Sequence, residues 1–274
     1  MRSALRSLPF VWGALGSVAV FAVLYLVFVR SRIGQQIDES AYAGADVWKG
    51  GLYELANAFL NALPAASVVL GCIAALAIVL VRRNWSVFLV AVGVAAAANA
   101  STQILKYTVL SRPAKGVDVG LANSLPSGHT TVAASDALLV FLVTSSRFRP
   151  LTAVIGSAFT VAAGCSTLVE QWHRPSDVVA GMLVVAFWGC VGGLILAAMR
   201  VRTTAEPGGW TLGPLLVIAV VCAIVSVVSL TVTYFSAQSG ASHLFIAYAG
   251  GVSAIMASAF LLAVLADRVF RALA

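Results

Sequence analysis

Three short segments of the chain gather residue types that handle phosphate. They are Lys106-Tyr-Thr-Val-Leu-Ser-Arg112-Pro113, Pro126-Ser127-Gly128-His129, and the stretch from Ser166 through His173 and Arg174 to Asp177. Lys106 and Arg112 supply positive charge and donors suited to phosphate oxygens, Arg112 as a bidentate fork. Ser127 and the backbone N–H of Gly128 stand at a helix start, where orphan N–H groups favour an anion. Gly128 lets the backbone approach without a side-chain clash. His173 and Asp177 are four apart, so one carboxylate can reach one imidazole across a turn. Pro175 between them marks a turn into the following helix. Asp177 is then placed to fix the tautomer of His173 and leave its other nitrogen free to attack phosphorus. His129 is placed to protonate the leaving oxygen. Singly, each residue has a plainer reading: a snorkelling cation, a turn and cap, a structural histidine. Jointly they are harder to dismiss, because two of only three histidines fall inside these segments.

The elements that must position them are membrane helices. Hydrophobic residues make up 61% of the 274 and charged residues only 10%, whereas soluble domains run at roughly 45–50% and about 25%. The pattern predicts an all-α, polytopic transmembrane bundle of about eight spans: 9–29, 63–81, 86–106, 128–146, 151–170, 177–199, 211–235 and 243–266. The first run lacks an obvious small-residue cleavage site and reads as a retained span, not a signal peptide. The three segments then share one membrane face, at the ends of spans three to six. A Pro207-Gly208-Gly209 break divides residues 1–206 from a C-terminal transmembrane hairpin, 207–274. The formal charge of +7 does not call for nucleic acid, since most basic residues sit in pairs between apolar runs. With both termini cytoplasmic, Arg2/Arg6, Arg82/Arg83, Arg147/Arg149, Arg200/Arg202 and Arg268/Arg271 all lie inside, ten of seventeen Lys and Arg. The phosphate-handling face is then extracytoplasmic, with Arg30 and Arg32 flanking the first span on the wrong side.

The three segments resemble the motifs KxxxxxxRP, PSGH and SRxxxxxHxxxD of the type 2 phosphatidic acid phosphatase superfamily. That group includes polyprenyl-pyrophosphate phosphatases and soluble vanadium haloperoxidases. The resemblance covers Lys106 to Asp177, within a six-helix core. It implies a metal-independent hydrolase with no cofactor, acting on a lipid phosphate or polyprenyl pyrophosphate. It further implies His173 as the nucleophile forming a phosphohistidine, His129 as the acid, and Lys106, Arg112, Ser127 and Gly128 as the phosphate cradle, with Ser166 and Asp177 at their motif positions. Two departures stand out. Five residues, not six, separate Lys106 from Arg112, and the third motif's Arg is Thr167 here. Arg174 or Lys115 is the expected substitute for that lost cation.

Two other functions stay open: a phosphotransferase passing the phosphoryl group to a lipid or sugar hydroxyl, and a non-catalytic lipid-phosphate binder or transporter. The His173–Asp177 pair with His129 speaks against the second, since binding alone needs no general acid. Oligomeric state is not encoded. Further expectations concern single elements. The outer segment 30–62 is expected to hold a short amphipathic helix near Tyr42 to Leu60, with Tyr42, Trp48 and Tyr53 as interfacial anchors. Cys72, Cys165, Cys190 and Cys222 read as small buried hydrophobes. Asp136, two turns below His129, is expected to point inward and bond to Asn99 or Gln103.

Overall fold

Helix is the only regular structure among the described residues, as lipid requires of a chain that must satisfy every backbone N–H and C=O internally. The computed structural model describes residues 2–48, 51–117, 122–201, 211–239 and 243–271. The helices are α1 (Arg2–Leu24), α2 (Arg32–Ala43), α3 (Gly51–Arg82), α4 (Trp85–Ile104), α5 (Gly128–Val143), α6 (Arg149–Val169), α7 (Pro175–Ala198), α8 (Gly213–Ser239) and α9 (Leu244–Phe270). Widened π turns extend α1 over Tyr25–Val29 and α4 over Leu105–Val109, and a 3-10 segment, Gly44–Trp48, follows α2.

All eight expected spans are helical, but they are not alike. Six, namely α1, α4, α6, α7, α8 and α9, are long and apolar enough to cross a membrane straight. α3 bends by 54° between Leu63 and Ala66, where the sequence holds Pro64. α5 has 16 residues, about 24 Å at 1.5 Å per residue, short of a roughly 30 Å hydrocarbon core. α5 is packed by α3, α4, α6 and α7, so its length need not match lipid.

α9 packs on α2, α6 and α7 as well as on α8, and gives Ile255 and Ala259 to the core beneath Leu168, Val178 and Met182. The C-terminal hairpin is therefore built into the bundle. The Pro207-Gly208-Gly209 break lies outside the described residues, as do Lys49 and Arg202. Small residues set the helix spacing. At Gly181 of α7 an added Cβ would stand 2.9 Å from the Ser127 carbonyl and 3.1 Å from Thr131 Oγ1. This close approach lets α7 run directly against the start of α5.

Four expectations need correction. The amphipathic helix of the outer segment is Arg32–Ala43, not 42–60. Ser31 starts it by accepting from the Gly34 N–H at 3.0 Å, and it turns Gly34, Gln35, Asp38 and Ala41 inward. The stretch after Gly51 instead joins α3. Tyr42 is no simple membrane anchor, because its ring lies 5.4 Å beneath the Arg174 guanidinium. Cys72 is exposed on α3, while the other three cysteines are partly buried. Asp136 is buried, as expected, but faces α3: a Cβ on Gly71 would touch it at 3.4 Å, and Ser67 is its polar neighbour. Asn99 donates to Ser135 at 3.2 Å. Adjacent helix positions point about 100° apart, so Ser135 turns to α4 and Asp136 to α3.

Gly181→Val should force α5 and α7 apart and cost about 1–3 kcal/mol by overpacking. Thermal unfolding of the purified protein in detergent should show a lowered Tm, and an unchanged Tm would contradict this packing.

Candidate active site

The third motif is a tight hairpin between two helices. α6 ends in a motif that satisfies its last carbonyls: Gln171 N–H donates to Leu168 O at 3.0 Å and Trp172 N–H to Thr167 O at 2.9 Å. Gln171 takes the left-handed conformation this needs, with φ 55°. His173 N–H also donates to Thr167 O, at 3.2 Å. α7 then begins at once, with Pro175 in its first turn, where the missing N–H costs nothing. Asp177 reaches back to accept the Arg174 N–H at 3.0 Å. His173 and Asp177 thus flank a helix start. The imidazole Nδ1 lies 3.5 Å from Asp177 Oδ2, close but not aligned as a hydrogen bond. Such bonds often tighten only when substrate is bound.

Asp177 is fully buried and is the centre of the site. Its Oδ2 also accepts from Ser124 Oγ at 2.5 Å, and its backbone carbonyl accepts from Ser127 N–H at 2.8 Å. Its Oδ1 lies 3.9 Å from Arg112 Nη2. That same Nη2 lies 3.5 Å from Asp38 Oδ2 on α2. Asp38 accepts from Ser176 N–H at 3.1 Å and from Ser176 Oγ at 2.5 Å. Arg112 therefore sits between two carboxylates, its side chain 1% exposed. Its Nε and Nη1 have no hydrogen-bond partner among the described residues. Burial, and the neighbouring charge of Asp177, push the Asp38 carboxyl up to about 6, with Arg112 and the Ser176 bonds partly offsetting this.

The second motif forms the opposite wall. Ser127 is fully buried and spends its oxygen as the cap of α5, accepting from Thr130 N–H at 3.3 Å and from Thr130 Oγ1 at 3.0 Å. Gly128 and His129 are half-exposed. Their N–H groups are the first two of α5, which no carbonyl of that helix can take. His129 lies against the Trp172 ring, centroids 5.2 Å apart, with His173 and Lys106 near it. Lys106 stands in the π turn, a feature frequent at functional sites. Asn123 clamps this turn by donating to Lys106 O at 2.9 Å and Leu110 O at 3.2 Å.

Lys106, Arg112, Gly128, His129, His173 and Asp177 therefore converge on one end of the bundle, delivered by α4, the loop after it, α5, and the hairpin between α6 and α7. Ser166 is half-buried seven residues before His173. Thr167, at the position of the absent Arg, is fully buried and donates to Gly164 O at 2.7 Å. Arg174 is turned away from His129: Nε donates to Glu39 Oε2 at 2.7 Å and Nη1 to Ser124 Oγ at 3.2 Å. Ser124 in turn donates to Asp177, so Arg174 is linked to that carboxylate through one hydroxyl. Lys115 is exposed on the loop. Sequence reasoning missed Asp38, Glu39, Asn123 and Ser124. The signal for the last two was their place directly before Leu-Pro-Ser-Gly-His, and for the first two the presence of adjacent acids in the one long polar interval.

The model of the PAP2 superfamily matches residues 87–203, which contain all three motifs but not α2. No curated protein and no solved structure matches the chain.

The Arg174–Glu39 pair, buried on its arginine side, makes a stability prediction. Arg174→Met removes the guanidinium that bonds Glu39 and Ser124 and should cost about 1–3 kcal/mol, whereas Arg174→Met combined with Glu39→Met should recover part of that. Melting curves of the two variants decide it, and a single variant as stable as wild type would contradict the pairing.

Proposed function

The chain belongs to the PAP2 superfamily, and from that premise we propose that it hydrolyses a lipid phosphate or polyprenyl pyrophosphate at the extracytoplasmic membrane face. Membership supports phosphatase chemistry on phosphate esters, and six apolar crossing helices make the chain a multi-pass membrane protein. The observation that carries the reading is a cluster of buried, unpartnered polar atoms: Arg112 Nε and Nη1, His173 Nδ1 and Asp177 Oδ1. Buried donors without acceptors are costly. A phosphoryl group at Arg112 would supply the missing acceptors, beside a histidine whose Nδ1 faces a carboxylate 3.5 Å away.

The chemistry then proceeds in two displacements. Asp177 faces Nδ1 of His173, so Nε2 is the attacking atom. It forms a bond to phosphorus as the ester P–O bond breaks, and His129 gives its proton to the leaving oxygen. Arg112, Lys106 and the first N–H groups of α5 face the charge on the phosphoryl oxygens. Water next attacks the phosphohistidine, His129 takes the water's proton, phosphate departs and His173 is regenerated. A lipid substrate fits the rim of the site, where Ile104, Tyr107 and Val109 are large, apolar and exposed beside Lys106. A headgroup can reach Lys106 and His129 from that side while its chain stays in the bilayer.

Kinetics on a panel of lipid phosphates test this. His173→Ala should abolish turnover. His129→Ala should slow phosphoenzyme formation by about 10²–10⁴ on a lipid ester, but far less on an activated aryl phosphate, whose leaving group needs no proton. Wild-type hydrolysis by His173→Ala would overturn the mechanism. Sidedness is tested separately. In a cysteine-free background, Cys at exposed Lys115 should react with an impermeant thiol reagent in intact cells, and Cys at exposed Arg147 only after lysis. The reverse pattern would put the site in the cytoplasm.

A further inference from the structure

α2 lies outside the matched family region, yet it places a carboxylate at the centre of the site. We propose that Asp38 is a positioning residue that holds Arg112 and the start of α7 in place, and that it takes up a proton when an oxyanion binds at Arg112. The proposal rests on Arg112 being the oxyanion ligand.

The argument begins with geometry. Asp38 is 2% exposed and accepts from both the N–H and the hydroxyl of Ser176. It therefore occupies the N-terminal end of α7, where partial positive charge favours an anion. It also stands 3.5 Å from Arg112 Nη2, while Asp177 stands 3.9 Å from the same atom. One cation thus faces two carboxylates, and its remaining donors, Nε and Nη1, have no partner among the described residues. α2 is held in this position from below: Gln35 Nε2 donates to Val29 O at 2.7 Å and to Pro113 O at 2.9 Å, next to Arg112.

Charge counting gives the consequence. A phosphoryl dianion on Arg112 brings two more negative charges into a buried space that already holds two carboxylates. Like charges this close shift a carboxyl by about 1–3 pKa units. Asp177 is kept ionised by Ser124, the Arg174 N–H and His173. Asp38 has only Ser176 and a shared Arg112, so Asp38 is the carboxylate that neutralises. The change needs no rearrangement, because a protonated Asp38 can donate to Ser176 Oγ across the same 2.5 Å contact with the hydroxyl reversed.

His129 and His173 face the same anion and are present in both wild type and Asp38→Asn, so the difference between those two proteins isolates Asp38. Asp46, on the 3-10 segment after α2, is exposed. On α2, Glu39 is paired with Arg174, and Arg32 is exposed, as is Arg30 before it. α8 carries no Asp, Glu, Lys, Arg or His, and α9 carries only Asp267 and Arg268, at its far end. The Asp38 carboxyl lies near 6 for the reasons given above. Below that pH Asp38 is already protonated and binding costs no proton. Above it, binding must take one up, so affinity falls as pH rises, until the higher bound-state value is passed.

Sulfate is the probe, because it stays a dianion throughout the range. Calorimetric titration of wild-type protein in two buffers of different ionisation enthalpy should show uptake of close to one proton per sulfate at about pH 7. Affinity should weaken about tenfold per pH unit there. Asp38→Asn should lose that slope and bind sulfate about tenfold or more tighter than wild type at about pH 8. Equal slopes in the two proteins overturn the proposal. So does absence of proton uptake by wild type, a result that needs no folded variant. Failure of wild type to bind sulfate even at low pH removes the oxyanion site at Arg112, and the proposed function falls with it.

Discussion

The site depends on one buried carboxylate. Asp177 caps the helix on which it stands, accepts the Ser124 hydroxyl, faces the His173 imidazole and, through its backbone carbonyl, holds the Ser127 N–H that starts α5. A carboxylate removed from water is stable only if charge and donors replace its hydration. Satisfying Asp177 therefore draws together the residues a phosphoryl-transfer site needs: a helix N-terminus, an arginine and a histidine. The requirement propagates outward. Arg112 balances Asp177 but brings in Asp38, and Arg174 supports Ser124 but brings in Glu39. Each buried charge is met by another, ending at α2, whose outer face reaches solvent.

This arrangement separates the two sides of the site. On the α2 side, Asp38, Gln35 and Arg174 are buried and bonded. On the α4 side, Lys106 and His129 are half-exposed next to an apolar rim. On the proposed mechanism, substrate enters from the open side and charge is balanced on the closed side. The short α5 links them, since its first turn lines the site and its body packs on four helices.

Much of this was legible in the sequence because its signals are local. Apolar runs of about 20 residues locate helices without knowledge of their neighbours. Motif order alone placed Lys106, His129 and His173 at alternating helix ends, hence on one face. What was not legible depends on which helix packs beside which. Asp136 is buried, as expected of it, but α5 has no marked apolar face, so periodicity could not choose α3 over α4. Arg174 reads as a spare cation next to His173, and only the position of Glu39, 135 residues away, shows that it is already paired. Asp38 carries no motif at all. Its role comes from α2 folding back over the Arg112–Pro113 loop, a contact between segments far apart in the chain. Ser127 shows the converse case: cap and phosphate ligand share one sequence signature, and the structure gives its oxygen to the cap.

The central claim is a covalent step at His173, and rapid-quench phosphoprotein mapping tests it most directly. Wild-type protein is mixed with a substrate radiolabelled in its phosphoryl group, quenched in alkali within milliseconds, and digested for peptide analysis. The predicted result is a transient label on the His173 peptide, stable in alkali and lost in acid, that forms and decays at rates matching turnover. Label on another residue, or turnover with no labelled protein at any time, would contradict it.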